Sequence, residues 1–150
     1  MRLLRTISAT IFLLSAGYSQ AADLITKQSP HTVSVTMDRL ATAVENAGAK
    51  VFARVDHAAG ASSVGMELRP TQLLIFGNPK LGTPALQAGQ TSGLDLPLRV
   101  VAYKDANGQV FLSYHSPSEL AADHGIPSDA TVLTKMTVAL DKLTNKAVAQ

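Results

Sequence analysis

His57 is the titratable residue whose neighbours in the sequence best suit a chemical role. It follows a predicted strand and precedes small residues that leave room for a cleft beside its imidazole. Arg69 and Asp95 fall near the ends of two other predicted strands and can converge with it. That trio suits a hydrolase or an isomerase with His57 as general base. We favour the structural alternative, in which His57 is hydrogen-bonded into a turn, Arg69 pairs with a carboxylate and Asp95 caps backbone N–H groups.

His57 also belongs to a candidate metal site of the copper type, because exported copper proteins use His and Met ligands. The candidate ligands are His57, Met66 and His124, with His115 as a further imidazole. Eight residues separate His57 from Met66, and eight separate His115 from His124. These spacings match no H-x-H or M-x-x-M motif. We therefore expect no cofactor and keep copper as the alternative.

The segment Gly77-Asn78-Pro79-Lys80-Leu81-Gly82-Thr83 has the two glycines of a phosphate-binding loop at the right spacing. Thr83 stands where that loop needs its lysine, and Pro79 removes one of the backbone donors that hold phosphate. The sequence therefore excludes nucleotide hydrolysis. A weaker hypothesis is that a helix start beside Lys80 holds a small anion or a carboxylate. A turn with a purely structural role is the favoured alternative.

The N-terminus predicts export. Arg2 and Arg5 precede an apolar run from Ile7 to Gly17, and Ser19-Gln20-Ala21 is a small-x-Ala cleavage site. We therefore expect a signal peptide over residues 1–21 and one periplasmic or secreted domain over residues 22–150. Without the two arginines, the 13 Lys and Arg become 11, against 11 Asp and Glu. That balance gives no electrostatic case for nucleic acid, and no second apolar run of membrane length follows the signal.

Alternating and helical patterns predict an α+β fold. Four consecutive large apolar residues, Leu73–Phe76, indicate a strand buried on both faces. The other predicted strands are Leu24–Ser29, Val51–Val55, Leu96–Lys104 and Gln109–His115. The predicted helices are Ser34–Ala47, a short helix after Asp56, Thr83–Ala88, Pro117–His124 and a last helix after Ser128. Thr83 and Ser128 are the predicted caps of the third and the last helix. The last helix has an apolar stripe of Leu133, Met136, Leu140, Leu143 and Ala147. About five strands should form a mainly antiparallel sheet with the helices packed on it.

Three motifs resemble the bacterial domain-of-unknown-function 302 family. They are Asp56-His57-Ala58-Ala59-Gly60-Ala61, then Leu68-Arg69-Pro70-Thr71, then Leu73 to Pro84 with its G-N-P-K-x-G-T-P string, and Leu94-Asp95-Leu96-Pro97-Leu98 continues the similarity. The resemblance covers roughly residues 33–125. It implies a compact α+β domain that is often a dimer and is frequently exported or attached to other domains. It implies no agreed activity, cofactor or catalytic residue.

Catalysis finds little support in the residue types. The chain has no Cys, and no G-x-S-x-G motif places a serine nucleophile. We therefore expect a binding or interaction module without catalysis, whose partner is a small ligand or a protein, with a homodimer as one form of interaction. The expected site is the surface of Asp56–Gly60, Arg69 and Gly77–Thr83. Its candidate ligand-binding residues are His57, Arg69, Asn78, Lys80, Thr83 and Asp95.

Overall fold

The computed structural model describes residues 24–150, so the predicted signal peptide, residues 1–21, lies outside the described part. The strands are β1 (Leu24–Ser29), β2 (Lys50–Asp56), β3 (Thr71–Gly77), β4 (Leu98–Lys104) and β5 (Val110–His115). The helices are α1 (Val33–Asn46), α2 (His57–Ser63), α3 (Pro79–Ala88), α4 (Pro117–His124) and α5 (Thr131–Val148), with a 3-10 helix at Gln90–Leu94 between α3 and β4.

The five strands form one sheet in the order β1-β5-β4-β3-β2, and every neighbouring pair is antiparallel. The predicted α+β fold with a mainly antiparallel sheet is therefore confirmed. The tight turn between β4 and β5 sets their register. Asp105 accepts the backbone N–H groups of Asn107 at 2.9 Å and Gln109 at 2.8 Å, and Gly108 has a φ of 83°. A positive φ suits glycine, which carries no Cβ.

The main core lies on one face of the sheet. The buried strand residues Leu74, Phe76, Val100 and Leu112 meet Met37, Leu40 and Val44 of α1 and Leu140 and Leu143 of α5. Ala85 of α3 and Leu120 of α4 join Leu133 and Met136 of α5 in a second, smaller core. The predicted apolar stripe of α5 is thus confirmed, since each of its five members is buried.

The other face of the sheet carries no comparable layer, which corrects the expectation that β3 is buried on both faces. Leu74 and Phe76 are 0% and 1% exposed, whereas Leu73 and Ile75 are only half-buried. Their strand neighbours on this face belong to neither buried cluster. We call this the open face, and its large apolar members on β2, β3, β4 and β5 are Val55, Leu73, Ile75, Val101, Tyr103 and Phe111.

Two helix starts differ from those expected. The predicted start of α3 at Thr83 is wrong, because α3 begins at Pro79 with Asn78 as its cap, and Pro84 lies inside the helix. The Asn78 side chain accepts the Lys80 N–H at 3.0 Å, and Pro79 takes the first helical position, where no N–H is needed. The predicted cap at Ser128 is also wrong. The α5 helix begins at Thr131, after Ala130.

Within Leu24–Gln150, no helix has both the length and the apolar character needed to cross a membrane.

Candidate functional site

The expected site residues fall at two opposite ends of the sheet. Strands β2 and β3 run antiparallel, with Asp56 opposite Gln72 at one end and Lys50 opposite Gly77 at the other. Each strand has seven residues, so the two ends are about 20 Å apart. His57 and Arg69 lie at the first end, whereas Asn78, Lys80, Thr83 and Asp95 lie at the second. The structure therefore does not bring His57, Arg69 and Asp95 into one pocket.

At the first end, the polar contacts are structural. Asp56 caps α2, because its Oδ1 accepts a hydrogen bond from the Ala59 N–H at 2.9 Å. Its Oδ2 accepts a second hydrogen bond from the Gln72 Nε2 at 2.9 Å. His57 is exposed as the first residue of α2, and Arg69 donates from Nε to the Lys104 carbonyl oxygen at 3.0 Å. Arg69 is thus held by the β4–β5 hairpin.

The hydrogen bond by which Asp56 caps α2 should depend on pH. The Ala59 N–H, with help from the Gln72 side chain and the Arg54 charge, holds the pKa of Asp56 below its ordinary value of 3.8. A carboxyl whose pKa is lower folded than unfolded adds stability above about pH 4, and this contribution is lost as the pH falls through the folded pKa. We expect the Ala59 amide NMR signal to titrate with a midpoint below 3.8. Asp56→Asn keeps an acceptor and should remove that titration; a wild-type midpoint above 3.8 would contradict the cap.

The candidate copper ligands do not converge. His57 lies at the first end of the sheet, and Met66 is 67% exposed in the segment after α2. His124 lies near the second end, where its ring contacts Asp95. Within residues 24–150, no three His, Asp or Glu side chains are grouped in a way that could hold a metal ion.

At the second end, the expected loop borders a pocket of about 250 Å³, which we call the Gly77 pocket. The first half of α3 forms one wall, the segment before β4 forms another, and Phe52 closes a third. Most of the lining is apolar: Phe52, Pro79, Leu81, Leu86, Leu96, Pro97, Leu98 and Met136. Polar atoms come from the side chains of Asn78 and Thr83 and from the backbone.

Two local features shape the Gly77 pocket. A Cβ on Gly77 would lie 3.4 Å from the Pro97 Cβ and 3.8 Å from the Phe52 ring, so this glycine lets both walls approach the backbone. Asn78 donates to the Gly48 carbonyl oxygen at 3.2 Å as well as capping α3. Both polar groups of Asn78 are therefore engaged within the fold. Thr83 is exposed at the rim, and Lys80 does not line the pocket.

Asp95 belongs to a separate hydrogen-bond chain beside this pocket. Its Oδ2 contacts the His124 Nε2 at 2.7 Å, and its Oδ1 pairs with the Arg99 guanidinium. The other ring nitrogen of His124, Nδ1, contacts the Thr91 hydroxyl at 3.0 Å. The His124 side chain is only 7% exposed. Sequence reasoning placed Asp95 at a site but missed this partnership with His124, 29 residues away.

Sequence reasoning also missed the apolar walls of the Gly77 pocket. Phe52 falls on the side of β2 opposite Val51, and a bulge between Val51 and Ala53 shifts the register around it. The only signal in the sequence was an aromatic residue that alternates with Val51 and Ala53; the structure shows that Phe52 is 50% exposed on an edge strand. Met136 gave no such signal, because it looks like any other member of the α5 core stripe.

A solved structure supports the fold. The chain is similar to an uncharacterized conserved DUF302 protein from Bacillus stearothermophilus, with a TM-score of 0.74 and 18% sequence identity. The alignment covers 83% of this chain and 97% of that one. At this identity the similarity establishes the architecture alone.

Two curated relatives are closer in sequence but longer. The proteins named fluoride-specific ion channel FluC 1 from Brucella suis biovar 1 (strain 1330) and Brucella abortus biovar 1 (strain 9-941) are each 44% identical to this chain over 116 residues. The match covers 76% of this chain but only 46% and 43% of those proteins. This chain therefore spans less than half the length of the curated relatives it matches.

The family comparison covers almost all of the described residues. The model of the family described as domain of unknown function DUF302 matches residues 25–143, from β1 into the last turns of α5. The matched range contains the Gly77 pocket, the Asp95–His124 pair and all of the sheet except Leu24. The chain therefore belongs to the DUF302 family.

Proposed function

We propose that this protein is an exported binding module that holds a small apolar ligand in the Gly77 pocket and carries out no chemistry on it. The observation that supports this proposal is the lining of the pocket. Its residues, all within the described part of the chain, include no His, Asp, Glu, Lys, Arg or Ser. The lining has no titratable side chain, so its one hydroxyl group, that of Thr83, has no general base within the lining to activate it. Such a pocket suits binding rather than acid–base or covalent catalysis.

The size of the pocket indicates the class of ligand. A dry cavity of about 150 Å³ can hold benzene, and the Gly77 pocket has about 250 Å³. A two-ring aromatic molecule is therefore a reasonable upper size. The Thr83 hydroxyl at the rim can hydrogen-bond one polar group of such a ligand, while the buried rings replace water against Leu81, Leu96 and Leu98.

Indole is a suitable probe, because the chain contains no Trp and indole fluorescence reports binding directly. Gly82→Leu provides the occluding variant. Gly82 lines the pocket, and a Cβ at this position would meet no atom within 4 Å. We expect saturable indole binding by the wild type, little change with Gly82→Ala, and a loss of at least about tenfold in affinity with Gly82→Leu. Equal binding by all three proteins would refute the pocket as the site.

The open face favours a homodimer as a second mode of interaction. Its apolar side chains lie on adjacent strands, and the Tyr103 and Phe111 ring centroids are 5.9 Å apart. Contiguous apolar patches of this kind usually meet a partner. The face measures about 24 Å by 20 Å. Its area is therefore smaller than the ~800 Å² that each partner buries in a standard interface. Neighbouring exposed groups such as Phe52 would extend it.

Sedimentation of the mature protein tests the dimer. Val101 lies on the central strand β4 and is half-buried on the open face. Val101→Glu should convert a dimer to a monomer, because a carboxylate would be buried without a partner. Val138→Glu is the matched control, since Val138 is 62% exposed on α5. A wild-type protein that sediments as a monomer, or a dimer that survives Val101→Glu, would rule out the open face.

Export is part of the proposal and rests on the N-terminal sequence. Residues 1–21 have the basic start, apolar run and cleavage site of a signal peptide. Expression in a Gram-negative host should yield a periplasmic protein whose mass corresponds to a chain starting at Ala22. Retention of Met1 in the cytoplasmic fraction would contradict export.

The Brucella relatives suggest a second candidate, an accessory role beside an ion channel. Their name refers to fluoride channels, and this chain matches less than half of each protein. Under this proposal, a strain lacking the gene should grow less well than its parent in fluoride-containing medium. Equal growth of the two strains across a fluoride series would remove this candidate.

A further inference from the structure

A mixed-charge cleft of about 120 Å³ lies where β4 begins and β5 leads into α4. Five charged or titratable residues line it: Asp95, Arg99, His115, Glu119 and Asp123. The apolar part of its lining consists of Leu98, Pro117, Leu120 and Leu140. The cleft is separate from the Gly77 pocket, although Leu98 contributes to both.

One wall of the cleft carries the Arg99 guanidinium, which a chain of hydrogen bonds holds in place. Buried His124 binds Thr91 and Asp95 through its two ring nitrogens, and Asp95 holds Arg99 through its other oxygen. A guanidinium has five N–H donors. In the hydrogen bonds of residues 24–150, Arg99 uses only its Nη2 atom. The remaining donors are available to a carboxylate, which a guanidinium can bind in a bidentate manner.

The other wall presents two carboxylates from α4, Glu119 in its first turn and Asp123 in its last turn. Glu119 Oε2 contacts the His115 Nδ1 at 2.8 Å, which fixes the orientation of both side chains. Asp123 follows Glu119 by four residues, so it lies one turn further along the same side of α4. No ion pair involves Asp123 among the residues that the structure describes. This wall can accept hydrogen bonds from an ammonium group.

We propose that the mixed-charge cleft binds a small zwitterion of the α-amino acid class. Arg99 binds the ligand carboxylate, and Glu119 and Asp123 bind its ammonium group. The leucines contact its side chain. The volume of about 120 Å³ is slightly smaller than a cavity that holds benzene. Glycine, alanine and serine, with about five to seven non-hydrogen atoms, match that size. This site does not depend on ligand binding in the Gly77 pocket or on a dimer.

Titration of the mature protein with L-alanine tests the proposal, with backbone amide NMR shifts at Arg99 and Glu119 as the readout. L-alaninamide lacks the carboxylate and N-acetyl-L-alanine lacks the ammonium, so each should bind at least about tenfold more weakly than L-alanine. Arg99→Gln should weaken L-alanine binding at least about tenfold and leave L-alaninamide binding unchanged. Asp123→Asn should weaken L-alanine binding and leave N-acetyl-L-alanine binding unchanged.

Arg69→Gln is the matched control, because Arg69 is also an exposed, hydrogen-bonded arginine but lies at the opposite end of the sheet. It should bind L-alanine as the wild type does. Acetate binding as tightly as L-alanine would show a simple anion site and overturn the proposal. The same conclusion would follow if L-alanine caused no shifts up to about 10 mM, or if Arg99→Gln bound it normally.

Discussion

Replacing Phe76 with alanine should lower the free energy of unfolding by about 4 kcal/mol, because a buried aromatic side chain is lost and a cavity remains. Phe76 is 1% exposed and is among the largest fully buried side chains of the described residues. It lies opposite Leu98 on β4, in the layer that α1 and α5 cover. Urea unfolding followed by circular dichroism gives the free energy directly, provided that the urea dependence of the variant stays parallel to that of the wild type.

The adjacent residue provides the control. Ile75 points to the open face and is half-buried there, so Ile75→Ala at low protein concentration should cost only about 1 kcal/mol. The contrast between two neighbouring large apolar residues tests the one-sided sheet. Equal losses at positions 75 and 76 would mean that the open face is covered as well as the other.

Gly89→Ala should destabilise the protein by about 3 kcal/mol, at the upper end of the usual cost of overpacking. A Cβ on Gly89 would lie 2.4 Å from the backbone oxygen of His124 and 3.2 Å from the Ile126 Cγ1 atom. The obstacle is therefore backbone, which cannot move aside as a flexible side chain can. Gly89 follows α3, and His124 ends α4, so the clash would separate the ends of two helices.

Gly82→Ala is the matched change within α3 and should have the opposite sign. A Cβ on Gly82 would meet no atom within 4 Å, and alanine favours a helix over glycine by about 1 kcal/mol. We expect urea unfolding to show a small gain for Gly82→Ala and a large loss for Gly89→Ala. Similar losses for both would show that the approach of α3 to α4 is not what requires glycine at position 89.

Features set by neighbouring residues were predictable from the sequence. The turn at Asp105–Gly108 follows from local hydrogen bonds and one positive φ, and α4 ends where Gly125 adopts a φ of 66°. The α5 stripe was also predictable, because its five apolar residues repeat at helical spacing. Each of these patterns records a local preference that tertiary packing then reinforces.

Features set by distant contacts were not predictable. Leu73–Phe76 gives no indication of which face is covered, because all four side chains are apolar and burial depends on where α1 and α5 pack. Both Asn78-Pro79 and Thr83-Pro84 are suitable helix starts. The helix begins at the first of these two, where the Asn78 side chain also donates a hydrogen bond to the carbonyl oxygen of Gly48, thirty residues away.

The candidate site was predictable only in part. The sequence singled out the Gly77–Thr83 segment, which does border a pocket, but it also joined this segment to His57 and Arg69. An antiparallel pairing of β2 with β3 sends those residues to the far end of the sheet. Arg99 is only four residues from Asp95, but its other partner, His124, is 29 residues away, so no local spacing could indicate the whole hydrogen-bond chain.

Helix α2 buries no residue, and the segment after it exposes Val64 and Met66 to 70% and 67%. Substitutions in such a segment carry little cost in folding free energy, whereas most substitutions in the core carry a large one. Descendants of this domain can therefore vary residues 62–67, between the Asp56–Ala61 and Leu68–Thr71 motifs, while they keep the same sheet. Over evolutionary time, new recognition properties should arise at residues 62–67 sooner than in the strands, and family members should diverge more there than in the two shared motifs on either side.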